Sequence, residues 1–317
     1  MFATTITMKP PYSFERLLQR MLTHPDEQLQ IDASAGIIRR ALRLDGQPVL
    51  VVFRFCGSVE EPVLQIETEA ALTQRQQDEL IRVSRHMYSV DVDLEPVYRR
   101  MRESAELRPL TEKFRGLRLL HDPDLFQSMV RTIIGQQLNL AFAATLTHRL
   151  IRQVGDVIVD QQGREFLVFP TPEAVASLEV EQMRAWQFSQ RKAEYIIDFA
   201  RAVVSGDVDL DRLHELTDED VIAYLSKLRG IGRWTVECLL MFGMGRPDLL
   251  PAADIGLRNG IQLVHGIVEK PDEQEIRRIG ESWAPYRSYV SLYLWEAVGE
   301  AKREAAREKA ESKPRRK

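Results

Sequence analysis

The sequence predicts an α+β protein: an antiparallel, β-rich N-terminal part followed by an all-helical part. Three observations carry this. Short alternating or β-branched runs separated by turn residues fill the first third of the chain. From about Leu110 the apolar residues recur instead at helical spacing. No strand signal of comparable strength follows Thr171. The 317 residues, 44% of them hydrophobic, are enough for two moderate cores. The expected division is a mixed part over 1–110, a helical part over 111–299 and a charged tail over 300–317.

Phe2 to Met8 alternates as an edge strand does. Ser13 stands as cap to a helix through Phe14, Leu17, Leu18 and Met21. Gly36–Leu44, Val49–Phe55 and Pro62–Thr68 read as strands, with turns at Asp45-Gly46-Gln47-Pro48 and Cys56-Gly57-Ser58. Thr73–Met87 reads as a helix. Strands that run consecutively in this way form an antiparallel sheet. Asp122-Pro123 marks a helix start, with Asp122 as cap and Pro123 in the first position. The stripe Phe126, Met129, Val130, Ile133, Ile134 follows. Ser189 caps a helix striped by Ala193, Ile196, Ile197, Ala200 and Val204. Thr217 starts the next, with Val221, Ile222 and Leu225 facing inward. Asp272 and Glu275 form a capping-box pattern. Pro285 stands near the start of the last main helix, which runs through Trp295. The tail from Glu300 holds eight Lys/Arg against four Glu and is expected to be a frayed, solvated end.

The formal net charge of −4 weighs mildly against a nucleic-acid partner. It does not exclude one, because a basic face or main-chain amides can hold phosphates. Two cysteines, Cys56 and Cys238, make no CxxC, zinc or four-cysteine iron–sulfur pattern, and sparse cysteine fits a reducing cytoplasm. The six histidines show no HExxH, so no catalytic metal is expected. No leader-like N-terminus and no apolar run of membrane length is present, so the expectation is a soluble, intracellular protein without a membrane partner.

The most informative segment is Leu228-Arg229-Gly230-Ile231-Gly232-Arg233-Trp234-Thr235, between two amphipathic helices. Glycines flanking one apolar residue permit a tight turn with positive φ and close backbone approach. The next helix then presents free N–H groups to an anion, and Ile231 plugs the turn into the core. Taken alone, such a turn is most often only a helix cap followed by a new helix. Twenty residues past Trp234 comes Leu250-Pro251-Ala252-Ala253-Asp254. Asp254 falls at a helix N-cap, where orphan N–H groups and the helix dipole favour the anion. That carboxylate suits a developing cation, although in isolation it too reads as a plain cap.

The hairpin followed by Leu250-Pro251-x-x-Asp254 resembles the helix-hairpin-helix/Gly-Pro-Asp superfamily of DNA glycosylases, and within it the bacterial 3-methyladenine DNA glycosylase II (AlkA) type. The similarity is spread along nearly all of the first 299 residues. It includes Pro10-Pro11-Tyr12-Ser13-Phe14, Arg115-Gly116-Leu117-Arg118 and Val130-Arg131-x-x-Ile134-Gly135-Gln136. Phe169-Pro170-Thr171-Pro172, Arg191-Lys192-Ala193-Glu194 and Trp283-x-Pro285-Tyr286-Arg287-Ser288-Tyr289 follow in the same order.

The resemblance implies a TBP-like N-terminal sheet domain and a lesion pocket in a cleft between helical sub-bundles. It implies a partner, duplex DNA with damaged bases, whose damaged nucleotide is flipped out of the stack. Base-excision repair then proceeds by hydrolysis of the N-glycosidic bond, with 3-methyladenine and 7-methylguanine as the bases released. Asp254 matches the catalytic aspartate. Trp234, Trp295, Cys238 and Tyr286 match base-pocket positions. Gly230, Ile231, Gly232, Arg233 and Thr235 match the DNA-binding hairpin. Gln137 or its neighbour Leu138 matches the residue that wedges into the emptied stack. Related lyases carry a lysine where Trp234 stands, so simple hydrolysis without lyase activity is implied. No cofactor is implied for catalysis. A structural sodium or potassium ion on the carbonyls of Leu228 and Ile231, with Ser226 third, is implied at the hairpin. A monomer working on the nucleoid in a bacterial cytoplasm completes the expectation. Cys238 and Glu296 depart from tyrosines in the best-known members, which leaves lesion preference open. Another lesion class (a deaminated or oxidised purine) and a non-catalytic DNA-binding module remain the alternatives.

Overall fold

In the computed structural model, residues 1–23 and 26–311 are described. The N-terminal part carries β1 (Phe2–Thr7), α1 (Phe14–Thr23), β2 (Leu29–Asp32), β3 (Ile37–Leu44), β4 (Gln47–Gly57), β5 (Pro62–Thr68) and α2 (Gln74–Met87). The strands form one antiparallel sheet in the order β1-β5-β4-β3-β2, with β1 at an edge. Asp45 and Gly46 both take positive φ (46° and 76°), the two-residue turn whose twist matches its flanking strands, and it sets the pairing Leu44↔Gln47. Along β4 every second residue, Val49, Val51, Phe53 and Phe55, is buried. These pack with Ile38, Leu42, Leu64 and Ile66 under Leu17 of α1 and Leu80 of α2 to make the first core. Ser13 caps α1 as expected, and Thr73, read as the first residue of its helix, is instead the N-cap of α2. The short strand β2 carried no readable signal, since all four of its residues are only partly buried.

The second core begins at Leu94 and takes in α3 (Glu95–Arg102) and α4 (Arg108–Lys113). The expected boundary after residue 110 therefore falls inside a helix, and the change of core comes earlier, between Val90 and Leu94. There follow α5 (Leu125–Gly135), α6 (Leu140–Val154), β6 (Asp156–Val159), β7 (Glu165–Val168), α7 (Pro172–Ala176), α8 (Val180–Ala185), α9 (Gln190–Ser205) and α10 (Asp218–Leu225). The chain ends its described course with α11 (Arg233–Cys238), α12 (Ile255–His265), α13 (Glu273–Gly280) and α14 (Arg287–Glu311). A π-helical turn, Leu239–Gly243, continues α11.

The α+β class holds, with four differences in detail. The helical part contains the β6–β7 hairpin, whose Phe166 and Val168 pack on Ala41 of β3 while Val157 and Val159 stay exposed. The cap of α5 is Asp124, not Asp122: Asp124 Oδ1 accepts from the Gln127 N–H at 2.7 Å, whereas Asp122 faces Arg131 at 3.7 Å. Asp272 caps α13 through the Glu275 N–H, but the Glu275 carboxylate turns to Arg278, so the box is half made. The expected frayed tail is helical through Glu311, because Glu300 and Glu304 pair with Lys113, and Glu300 also with Arg16. Residues 312–317 lie outside the described residues.

Arg118 joins the two cores. Its side chain is wholly buried, and its guanidinium donates to the carbonyls of Lys9, Pro11, Ser89 and Val92 while lying over the Tyr12 ring. Four carbonyls from two separate loops are thus satisfied by one planar fork. Arg118→Met should lower unfolding stability by about 3 kcal/mol or more, since each orphaned buried acceptor costs about 1–3 kcal/mol. Arg118→Lys should not rescue it, because a compact ammonium cannot span the same four oxygens. Urea denaturation checks both; a loss below about 1 kcal/mol for Met would contradict the role.

Candidate active site and hairpin

The hairpin sits between α10 and α11. Gly230 has φ +83°, and a Cβ there would lie 2.2 Å from the Tyr195 ring. Only this glycine is demanded by a left-handed backbone. Gly232, expected to share that conformation, is extended (φ −101°) and serves as N-cap of α11, with nothing within 4 Å of where a Cβ would project. It keeps the approach to the helix N-terminus open. Among the described residues no side chain caps α11, so its first N–H groups point outward without a side-chain acceptor. Ile231 is buried in the helical core, as the plug it was expected to be.

Two hairpin side chains are engaged elsewhere. Arg233 pairs with Glu219 at 2.6 Å and with buried Glu237 at 3.0 Å. Thr235 is 2% exposed, and its hydroxyl accepts from Gln136 Nε2 at 2.9 Å. The same Gln136 nitrogen donates to the Gly230 carbonyl at 2.9 Å, tying the hairpin to the turn between α5 and α6. At that turn Gln137 is exposed with φ +56°, whereas Leu138 packs partly buried against the core. The Lys192 ammonium, its pKa lowered to about 8 by burial, donates to the carbonyls of Ile133, Ile134 and Gln136 and closes the C-terminus of α5. Neither Gln136 nor Lys192 was singled out from sequence; both lie in matched motifs, but their partners are 56 or more residues away.

Asp254 is the N-cap of α12, as expected. Its Oδ1 accepts from the Leu257 N–H at 2.7 Å and from the Trp295 indole N–H at 2.9 Å. Trp295 stacks on Phe242 of the π-helical turn, with centroids 5.8 Å apart. Cys238 is buried; burial, reinforced by the Asp254 charge, pushes its thiol well above the usual value. Asp254, Trp295 and Cys238 are thus brought together. Trp234 lies one turn before Cys238 on α11, half-buried, with its indole nitrogen sequestered. Tyr286 stands just before α14, partly buried against the helical core. Glu296 turns away to Arg303 at 2.6 Å and to Arg20 of α1 at 3.7 Å. It ties α14 to α1.

A cleft of about 360 Å³ opens between the sheet and the helices. It runs from Thr132 and Leu140 beside the Gln137 turn to Phe242, and its far wall carries Arg20, Arg40 and Tyr88 from the N-terminal part. None of Asp254, Trp234, Trp295, Cys238 and Tyr286 lines it, so it is separate from the group around Asp254. Among the described residues no group of three or more His, Cys, Asp or Glu could hold a metal ion.

The family model described as "HhH-GPD superfamily base excision DNA repair protein" matches residues 130–285. The chain is 35% identical over 299 residues to the putative DNA-3-methyladenine glycosylase YfjP of Bacillus subtilis, covering 94% of this chain and all of that one. The 3-methyladenine DNA glycosylase from Archaeoglobus fulgidus has a similar structure, with a TM-score of 0.79 at 26% identity over 92% of this chain and 97% of that one. The Schizosaccharomyces pombe 3-methyladenine DNA glycosylase in complex with abasic DNA gives 0.54 at 29% identity, over 63% and 95%. With the hairpin, the capped Asp254 and these likenesses together, the chain belongs to the helix-hairpin-helix/Gly-Pro-Asp superfamily of base-excision DNA repair proteins.

Proposed function

We propose that the protein hydrolyses the N-glycosidic bond of alkylated bases in duplex DNA, releasing 3-methyladenine and 7-methylguanine, with Asp254 as the catalytic carboxylate. The observation that carries this reading is the double donation to Asp254 Oδ1 by the Leu257 N–H and the Trp295 indole. It fixes the carboxylate in one orientation before substrate arrives. Cleavage builds positive charge on the sugar, and a preplaced anion stabilises it and can orient the attacking water. An alkylated purine is already cationic and leaves without strong acid catalysis. Trp234 and Trp295 offer indole faces to such a base. Hydrolysis without lyase activity follows from the tryptophan at position 234, since an indole cannot form the imine a lyase needs.

The hairpin holds a phosphate through the first N–H groups of α11 rather than through Arg233 or Thr235, whose side chains are committed to Glu219, Glu237 and Gln136. Gln137, exposed at the tip of its turn, is favoured over Leu138 as the wedge. A sodium or potassium ion on the hard main-chain oxygens of Leu228 and Ile231, with Ser226 third, would share the Leu228 carbonyl with the Ile231 N–H that it accepts at 3.2 Å. Bound there, it would add fixed positive charge beside the phosphate. No described helix is long and apolar enough to cross a membrane. A monomer acting on the nucleoid in the cytoplasm completes the reading.

Asp254→Asn keeps an oxygen for the Leu257 cap, so the fold should survive while release of 3-methyladenine from methylated duplex slows by on the order of 10²–10³-fold. A near-normal rate would reduce Asp254 to a helix cap. The two glycines separate fold from binding. Gly230→Ala should lower the melting temperature, whereas Gly232→Ala should melt normally yet bind undamaged and lesion-bearing duplex more weakly, with a shallower salt dependence. Normal duplex affinity in the Gly232 variant would remove the hairpin from the interface. Product strands should break only in hot alkali, with no protein–DNA adduct trapped by borohydride; efficient trapping would mean a lyase.

A further inference from the structure

His86, near the end of α2, and His121, before α5, lie ring on ring with centroids 4.7 Å apart. Burial lowers the pKa of both, that of His121 to about 4, so the stacked pair is neutral near pH 7. His121 Nδ1 donates to the His86 carbonyl at 2.8 Å. Gly245, with φ +71°, leaves room for the same ring, which a Cβ would approach to 3.1 Å. His86 Nε2 in turn donates to the Gly243 carbonyl at 2.8 Å, across 157 residues. A carbonyl only accepts, so the His86 proton sits on Nε2. The Gly243 carbonyl ends the π-helical turn, whose own wide bond runs from the Met244 N–H to the Leu239 carbonyl at 3.0 Å. The last carbonyls of a helix have no partner within it. Here Phe242 takes the Asp122 N–H at 2.9 Å and Gly243 takes His86. The Phe242 ring stacks on Trp295, whose indole donates to Asp254.

We propose that His86 is a positioning residue for base release: its bond to the Gly243 carbonyl holds the π-helical turn so that Phe242 backs the Trp295 indole in its bond to Asp254. The inference rests on the glycosylase reading above. His86 stands on the helix whose Leu80, Val83 and Met87 belong to the first core, whereas Leu239, Leu240 and Met241 of the turn belong to the second. The N-terminal part thus reaches the carboxylate through three successive contacts. An imidazole N–H also suits the negative end of a helix. Without that donor the Gly243 carbonyl is left unpaired and the end of the turn can shift. Phe242 then tilts, and the indole loses its backing. Asp254 keeps the Leu257 cap but loses the second restraint on its orientation. A displacement of about 1 Å in a catalytic group can cost about 10²-fold in rate. The hairpin N–H groups lie at the other end of α11, so the grip on duplex is spared.

The test is single-turnover release of 7-methylguanine from methylated duplex by the full chain, with enzyme concentration varied so that limiting rate and half-saturation separate. His86→Phe keeps a ring on His121 but has no donor. It should lower the limiting rate by about tenfold or more, with half-saturation within about twofold of wild type. His86→Gln, whose amide can donate from the Nε2 position, should stay within about threefold of wild type. Phe242→Leu leaves the hydrogen bond and removes the stacking ring, and it should slow release as His86→Phe does. Trp295→Phe removes the indole donor through which His86 acts. Adding His86→Phe to it should therefore change the limiting rate by less than about twofold. Effects that multiply in that double variant would overturn the proposal, since His86 would then act apart from the indole. So would a wild-type limiting rate in either His86→Phe or Phe242→Leu, a Gln variant as slow as Phe, or a change confined to half-saturation. Wild-type chain that releases no base would instead defeat the glycosylase reading, and this role with it.

Discussion

Arg118 carries a full positive charge in the interior, and no carboxylate is set against it. The charge is accommodated by main-chain dipoles: carbonyls of the segment before α1 and of the loop between α2 and α3 converge on one guanidinium. Beside it the Gly116 N–H donates to the Tyr98 hydroxyl, which meets the Tyr293 hydroxyl, which in turn donates to the Leu117 carbonyl. Only glycine fits at 116, where φ is +81° and a Cβ would lie 2.5 Å from the Ser13 nitrogen. This knot holds sheet and helices at one spacing, and that spacing defines the cleft. Residues of β3 can face Phe242 across it only because the two cores are fixed to each other at Arg118.

The two working parts of the helical domain are held by different means. The hairpin and the Gln137 turn are tied by one amide, Gln136, and the Lys192 ammonium fastens that turn to α9. Asp254 is held by its own helix and by α14. Cys238 and Phe242 are one turn apart across the junction of α11 with the π-helical turn. They link the hairpin's helix to the Asp254 side. The hairpin, the Gln137 turn and Asp254 thus rest on separate helices joined by a few polar contacts.

Signals that depend on neighbours in sequence were legible. Gly230, Ile231, Asp254, the Asp45-Gly46 turn and the caps at Ser13, Ser189 and Thr217 are all local chemistry. Contacts made across the fold were not. The indole of Trp295 reaches Asp254 over 41 residues. The β6–β7 hairpin escaped notice because its inward residues pack on the other domain's strand. The charged tail read as solvated because the partners that order it, Arg16 and Lys113, lie far upstream. Gly232 shows the subtler error. Its glycine was legible, but the reason for it is open space rather than backbone strain.

Helix α14 follows in the chain every element that it locks. Trp295 supplies one of the two donors on Asp254, Glu296 and Glu300 reach back to α1, and Tyr293 closes the hydroxyl relay beside Arg118. During synthesis the sheet can assemble from its own local pairings as soon as β5 emerges, since domains fold as units from the N-terminal side. The hairpin and α12 can follow. Yet a nascent chain that has released everything through α13 still presents Asp254 with its indole donor missing and the sheet unclasped. The group around Asp254 is therefore completed late, with the last long helix.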